Sequence, residues 1–284
     1  RSDTTKLTYL AGWKHFLNWF ARHPSAATVR DISEYRDSLI ANGKSSATIS
    51  NRLAAIASFY DYVKALGLIE RNPADGVERP TVEPYSATKW LTTGEAAQLL
   101  AAPDRTMLDG KRDYAILVVM LTMGLRRAEV AAMRISDLYM RGDGTVQLRY
   151  KPKGGEVQTR PVPSAAWIAI KEYVQERGEF EDDAPVFAAH DHAAGWRQHG
   201  TPITPETVRL IVARHSRKAL GRVVNPHALR HTCAGTAWDT THDLRRVQNL
   251  LGHASAVTTE KYLHRREDDR GKLGDALAVS YGIQ

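Results

Sequence analysis

Apolar residues recur at threes and fours through the first quarter of the chain. Leu7, Leu10, Trp13, Leu17 and Phe20 space an amphipathic helix over residues 4–22. Thr28 suits the N-cap of a second helix carrying Val29, Ile32, Tyr35, Leu39 and Ile40, with Gly43 at its C-terminal cap. Ser46 opens a third, with Ile49, Leu53, Ile56, Phe59 or Tyr60, Val63 and Leu66, ended by Gly67. Three helices on short turns predict a helical domain over residues 1–80, and their stripes are core packing.

The periodicity stops at NPADGVERPTVEPYSATKW, residues 72–90, where prolines and a glycine replace it. Residues 81–90 therefore read as a linker before a second domain over 91–284. Thr92 or Thr93 caps a helix carrying Leu99 and Leu100. Asp113–Met123 is nearly all apolar and predicts a buried helix, broken by Gly124. Alternation over Thr145–Tyr150 predicts a strand, and Val157–Val162 pairs back onto it. Lys151, Lys153, Gly154 and Gly155 fall at the tip, and Asp137–Tyr139 adds a short third strand. Residues 178–203, rich in Gly, Asp, His and Pro, read as an exposed connection. Thr204 and Pro205 then open a helix that carries Leu210 and Ile211 and ends near Gly221. The fold class is mainly α: a helical N-terminal domain and an α-rich second domain with a small antiparallel sheet.

Composition narrows the partner. Lys and Arg number 39 against 32 Asp and Glu, a net charge of +7, which favours a polyanion and first of all nucleic acid. The one cysteine, Cys233, excludes an intrachain disulfide and a cysteine-based metal cluster, and suits a reducing compartment. No apolar run reaches the roughly 18 residues of a membrane span. There is no secretory leader, and a chain that starts at Arg1 leaves an upstream segment open.

The chemistry concentrates in Pro226–Tyr262. His227, Arg230 and His231 stand in H-x-L-R-H, His253 in L-L-G-H, and Tyr262 nine positions later. A guanidinium grips phosphate oxygens bidentately and keeps its charge. A phenol attacks phosphorus if an imidazole takes its proton. Upstream, Arg126 opens a helix after Gly124-Leu125, and Glu129 at i+3 is placed to hold its guanidinium. No metal is expected: His190, His192 and His199, or His227 with His231, lack a Cys partner and the H-E-x-x-H pattern. In the first domain, Lys44, Ser45, Asn51 and Arg52 form a polar patch suited to duplex DNA, although a solvated helix face explains it about as well.

These residues together resemble the tyrosine recombinases of the phage-integrase and Xer type. The G-L-R-x-x-E box is matched by Gly124, Leu125, Arg126 and Glu129. The second box is matched by His227, Leu229, Arg230, His231, Leu251, Gly252, His253 and Tyr262. The N-terminal helices, ending at Asn72-Pro73-Ala74, resemble the family's core-binding domain, so the likeness spans nearly the whole chain. It implies Arg126 and Arg230 as a clamp on the scissile phosphate, His227 and His253 as proton-handling or phosphate-bonding groups, and Tyr262 as nucleophile. A hairpin lysine protonates the departing 5′ oxygen; Lys153 is favoured over Lys151. Glu129 and His231 support the site. The implied reaction runs through a covalent 3′-phosphotyrosine without metal, ATP or cofactor. Implied partners are double-stranded DNA with paired inverted core sites and a homotetramer on that DNA, with room for accessory DNA-bending or directionality proteins and no membrane. The C-terminal tail, about 264–284, is expected to pass to a neighbouring protomer. The implied location is the cytoplasm of a bacterial or phage-infected cell, with the nucleoid. Rival readings are a type IB topoisomerase and a helical DNA-binding regulator without catalysis.

Overall fold

In the computed structural model, which describes residues 3–81, 90–152, 155–178, 181, 183–191 and 197–252, the chain divides into two units, Arg1–Ala87 and Thr88–Gln284. The first holds α1 (Asp3–Phe20), α2 (Val29–Ala41) and α3 (Ser46–Ala65). Thr28 caps α2 reciprocally: its hydroxyl accepts the Asp31 N–H, and the Asp31 carboxylate accepts the Thr28 N–H. Ser45, rather than Ser46, caps α3 by accepting the Thr48 N–H at 3.3 Å.

The buried face of α1 departs from the expected stripe. Leu7 and Leu10 are 67% and 48% exposed, whereas Phe16 and Phe20 are buried. Gly12 explains the rotation. A Cβ there would lie 3.1 Å from Ala55 Cβ on α3, so the helices approach closely only along the side-chain-free strip beside Gly12. That strip carries Phe16, whose ring packs 5.3 Å from Phe20 and 5.2 Å from Tyr35. Val29 and Ile40, at the two ends of α2, are likewise exposed.

The second unit begins with α4 (Thr93–Ala101), capped by Thr92 with Glu95, and α5 (Leu108–Met123). α5 starts five residues before the apolar run, so Asp113 lies inside it and is fully buried. Its carboxylate is held by Arg112, Arg214 and His215, the last at 2.8 Å. Gly124 ends α5 in the left-handed conformation, φ 60°, and a short α6 (Arg127–Ala131) follows. Strands β1 (Leu138–Met140), β2 (Val146–Tyr150) and β3 (Gln158–Pro161) make an antiparallel sheet in chain order. Its last β2–β3 rung pairs Tyr150 with Gln158. After α7 (Ser164–Arg177), the expected irregular connection holds instead a two-stranded sheet, β4 (Ala188–Asp191) with β5 (Arg197–Pro202). The buried run Val186, Phe187, Ala188 anchors it, with Phe187 stacked on Tyr173. The unit continues through α8 (Pro205–Leu220), α9 (Pro226–Thr241) and α10 (Leu244–Leu251). Its core gathers α5, Val146 and Leu148 of β2, Tyr173 of α7, Val208 of α8 and Leu229 of α9. No helix among the described residues is long and apolar enough to cross a membrane.

Candidate active site

Two turns and one helix bring the sequence-predicted arginines together. Arg126 is the N-cap of α6 and follows the Gly124 turn by two residues. The Glu129 carboxylate accepts both the Arg126 backbone N–H and its Nη1, each at 2.8 Å. One buried acid thus fixes the backbone and the guanidinium together, leaving the Arg126 side chain about a third exposed (31%).

Arg230 comes from the second turn of α9 and is only 1% exposed. Its Nη1 donates to the Gly124 carbonyl and its Nη2 to the Leu251 carbonyl at 2.7 Å. The same guanidinium therefore joins the turn that presents Arg126 to the last turn of α10. A Cβ on Gly124 would stand 2.8 Å from Leu251 Cδ2 and 3.2 Å from Cys233 Sγ, so these segments touch as well as bond. Burial in this packing pushes the Cys233 thiol up to about 11, against the opposing pull of Arg160 and Arg230.

His227 sits on the first turn of α9, three residues before Arg230, and keeps an exposed edge. Its pKa is lowered from 6.5, first by desolvation of the ring and then by the charges of Arg230, Arg126 and Arg127. A ring held neutral at pH 7 accepts a proton. His231 is half-buried, its ring 6.2 Å from that of His227 in an edge-on arrangement.

A third arginine, which no sequence motif singled out, belongs to this cluster. Arg160 of β3 donates from Nη2 to the Leu250 carbonyl at 2.5 Å, beside the Leu251 carbonyl that Arg230 takes. Strand alternation carries a signal for it: Arg160 shares a sheet face with Val162, which is buried. Lys151 is exposed, one residue beyond β2. Lys153, His253 and Tyr262 lie outside the described residues, as does the tail after Gly252. In the first unit, Lys44 and Asn51 are exposed, Ser45 serves as the α3 cap, and Arg52 is half-buried beside the Tyr35 hydroxyl. No cluster of three or more His, Cys, Asp or Glu suited to a metal occurs among the described residues.

Two guanidiniums beside a glycine turn, with an imidazole that feels the charge of both, suit a protein that handles phosphodiesters. The sequence matches the phage integrase family over residues 89–268 and the phage integrase N-terminal SAM-like domain over residues 1–69. It is 36% identical to tyrosine recombinase XerC of Pelobacter propionicus over 217 residues, covering 75% of this chain and 67% of that protein. The fold is similar to that of XerH recombinase in a post-cleavage complex on a palindromic difH substrate, with TM-score 0.72, 21% identity, and 96% and 79% of the two chains covered. It is also similar to lambda integrase in a tetramer bound to a Holliday junction, with TM-score 0.71, 19% identity, and 92% and 72% covered. The chain belongs to the phage integrase family of tyrosine recombinases and is a site-specific DNA recombinase.

Proposed function

We propose that this recombinase cleaves and rejoins duplex DNA through a covalent 3′-phosphotyrosine, with Tyr262 as nucleophile and Arg126 and Arg230 as the phosphate clamp. The observation that carries this reading is the Arg230 guanidinium bonded to both Gly124 and Leu251, which brings two distant sequence boxes to one point. The Tyr262 Oη attacks phosphorus, the P–O5′ bond breaks, and the departing 5′ oxygen takes a proton from the hairpin lysine, Lys153 or Lys151. His227, held neutral by its surroundings, takes the phenol proton. His253 completes the phosphate's hydrogen bonding. The pentavalent transition state gathers negative charge on its equatorial oxygens, and fixed guanidiniums favour it selectively; removing one such donor costs about 10² to 10³ in rate. The bond to tyrosine conserves the energy of the broken strand, so attack by a 5′ hydroxyl from a partner duplex rejoins DNA without ATP.

Two duplexes require four active sites. The reading is therefore a homotetramer on paired inverted core sites, in line with the lambda integrase tetramer on a Holliday junction. Lys44 and Asn51, exposed on the first unit, would contact the duplex, and a nucleoid-associated cytoplasmic location suits that substrate. The test is a nicked suicide duplex that traps the covalent intermediate. The unsubstituted chain should yield a DNA adduct that maps to Tyr262, whereas Tyr262→Phe should bind the duplex and trap none. An adduct that survives the substitution would overturn the nucleophile assignment.

A further inference from the structure

We infer that Arg160 is a positioning residue of strand cleavage: it registers the β2–β3 hairpin on the C-terminal turn of α10 and thereby places the hairpin's lysine. The inference rests on the reading of the lysine as proton donor given above.

A helix ends with carbonyls that lack intrahelical partners and with a partial negative charge. In α10, two successive carbonyls of that kind are capped by arginines from different elements, Leu250 by Arg160 of β3 and Leu251 by Arg230 of α9. The hairpin and the phosphate clamp thus hold the same turn, one residue apart. The strand pair also abuts this turn directly. Gly252 ends α10 with φ 61°, and a Cβ there would fall 2.7 Å from the Tyr150 hydroxyl and 3.3 Å from Gln158 Oε1. Those two residues form the last rung of the ladder, and the Tyr150 hydroxyl donates to Gln158 Oε1 at 3.1 Å. The Arg160 guanidinium lies 5.6 Å from the Tyr150 ring centre, behind the same rung.

The placement bears on chemistry because Lys151 is the next residue after Tyr150, and residues 151–157 connect the two strands. A slip of one rung shifts the root of that connection by about 3.3 Å, more than a proton donor tolerates. Nor does the guanidinium look optimised for its own satisfaction. Its Nη1 is buried and makes no hydrogen bond among the described residues. An arginine kept half-buried with an idle donor is costly as a mere surface charge, whereas its reach and rigid fork suit a latch between strand and helix end.

The test separates leaving-group protonation from every other defect. A suicide duplex carrying sulfur in place of the bridging 5′ oxygen releases a thiolate, which needs no proton from the protein. Arg160→Ala should cleave the oxygen substrate about 10- to 10²-fold more slowly than the unsubstituted chain, yet cleave the sulfur substrate at close to its rate. Arg160→Lys should recover part of the loss on oxygen. Arg126→Ala should be slow on both substrates. Should Arg160→Ala fail to fold, Tyr150→Phe and Gln158→Ala carry the test, with smaller losses on oxygen and the same recovery on sulfur. Lysine variants keep the two ideas apart. If neither Lys153→Ala nor Lys151→Ala is rescued by sulfur, the proton-donor reading fails. If one of them is rescued while the Arg160, Tyr150 and Gln158 variants are equally slow on both substrates, the positioning inference is overturned.

Discussion

Replacing Gly124 by alanine should disturb the site more than its size suggests. The residue has φ 60°, and an added methyl would stand 2.8 Å from Leu251 Cδ2 and 3.2 Å from Cys233 Sγ. Left-handed backbone costs a non-glycine residue about 1–2 kcal/mol, and crowding in a packed core adds about 1–3 kcal/mol. The sum is about 2–5 kcal/mol of stability. Gly221 separates the two contributions, since it has φ 64° but nothing within 4 Å of its added Cβ. Gly221→Ala should therefore show the backbone cost alone. Urea unfolding with linear extrapolation measures both variants. The second consequence is kinetic. Gly124 and Leu251 supply the two carbonyls that hold Arg230, and relieving the clash moves one or both. Single-turnover cleavage of a suicide duplex, measured where Gly124→Ala is folded, should fall about 10- to 10²-fold, while Gly221→Ala cleaves normally. A Gly124→Ala protein no less stable than Gly221→Ala, and as fast as the unsubstituted chain, would refute the claim that this turn is packed to position the guanidinium.

Two further outcomes follow from buried carboxylates. Glu129→Gln retains one acceptor where the carboxylate serves two donors, so cleavage at saturating DNA should drop about tenfold, while stability changes by less than about 1 kcal/mol because the Arg126 side chain is part-exposed; an unchanged rate would show that Arg126 needs no such brace. For Asp113, burial pushes the carboxyl up, but the His215 hydrogen bond and the charges of Arg112 and Arg214 outweigh it and hold the pKa below 3.8. A group whose folded value is depressed contributes stability above its unfolded value and loses it as pH falls through the folded one, so this contribution should begin to decline near pH 3.8 and be lost as pH falls further. Asp113→Asn should cost about 3–5 kcal/mol at neutral pH, by leaving its cations without a counter-charge, and should flatten the acid limb of stability in urea melts taken across pH. An acid limb that keeps its shape in the variant would assign it to other groups.

What the sequence disclosed depended on whether the signal was local. The caps at Thr28 and Thr204 could be read because an N-cap acts within three residues, that of α4 was narrowed to Thr92 or Thr93, and Glu129 beside Arg126 was visible for the same reason. The strand pair 146–150 with 158–161 was visible as alternation. The face of α1 was not, because it was chosen by Gly12 against Ala55, a contact 43 residues away that periodicity does not encode. Sheet β4–β5 was hidden by its polar composition, which looks like loop until Val186 and Phe187 are seen to anchor it. Arg160 was passed over for a related reason: its partner, Leu250 O, is 90 residues downstream and is a backbone atom with no residue identity.

The choice of partner, carboxylate or backbone carbonyl, separates the arginines around Asp113 from those of the proposed site. Around Asp113, two arginines and a histidine ring meet a buried carboxylate, which offsets part of the arginine charge within the core. Around Gly124 and Leu251, Arg230 and Arg160 are tied instead to carbonyl oxygens. A carbonyl fixes a guanidinium through its dipole and leaves the full positive charge in place, whereas a carboxylate fixes it and cancels it. Glu129 is the exception among the described contacts, and it braces Arg126, whose side chain stays about a third exposed. The His227 pKa is depressed first by desolvation, and the charges of Arg230 and Arg126 lower it further. Under the proposed clamp, a phosphate would meet charge that was oriented during folding, so little reorganisation would remain as negative charge builds on its oxygens. Backbone anchoring is therefore what allows this site to be both rigid and strongly positive.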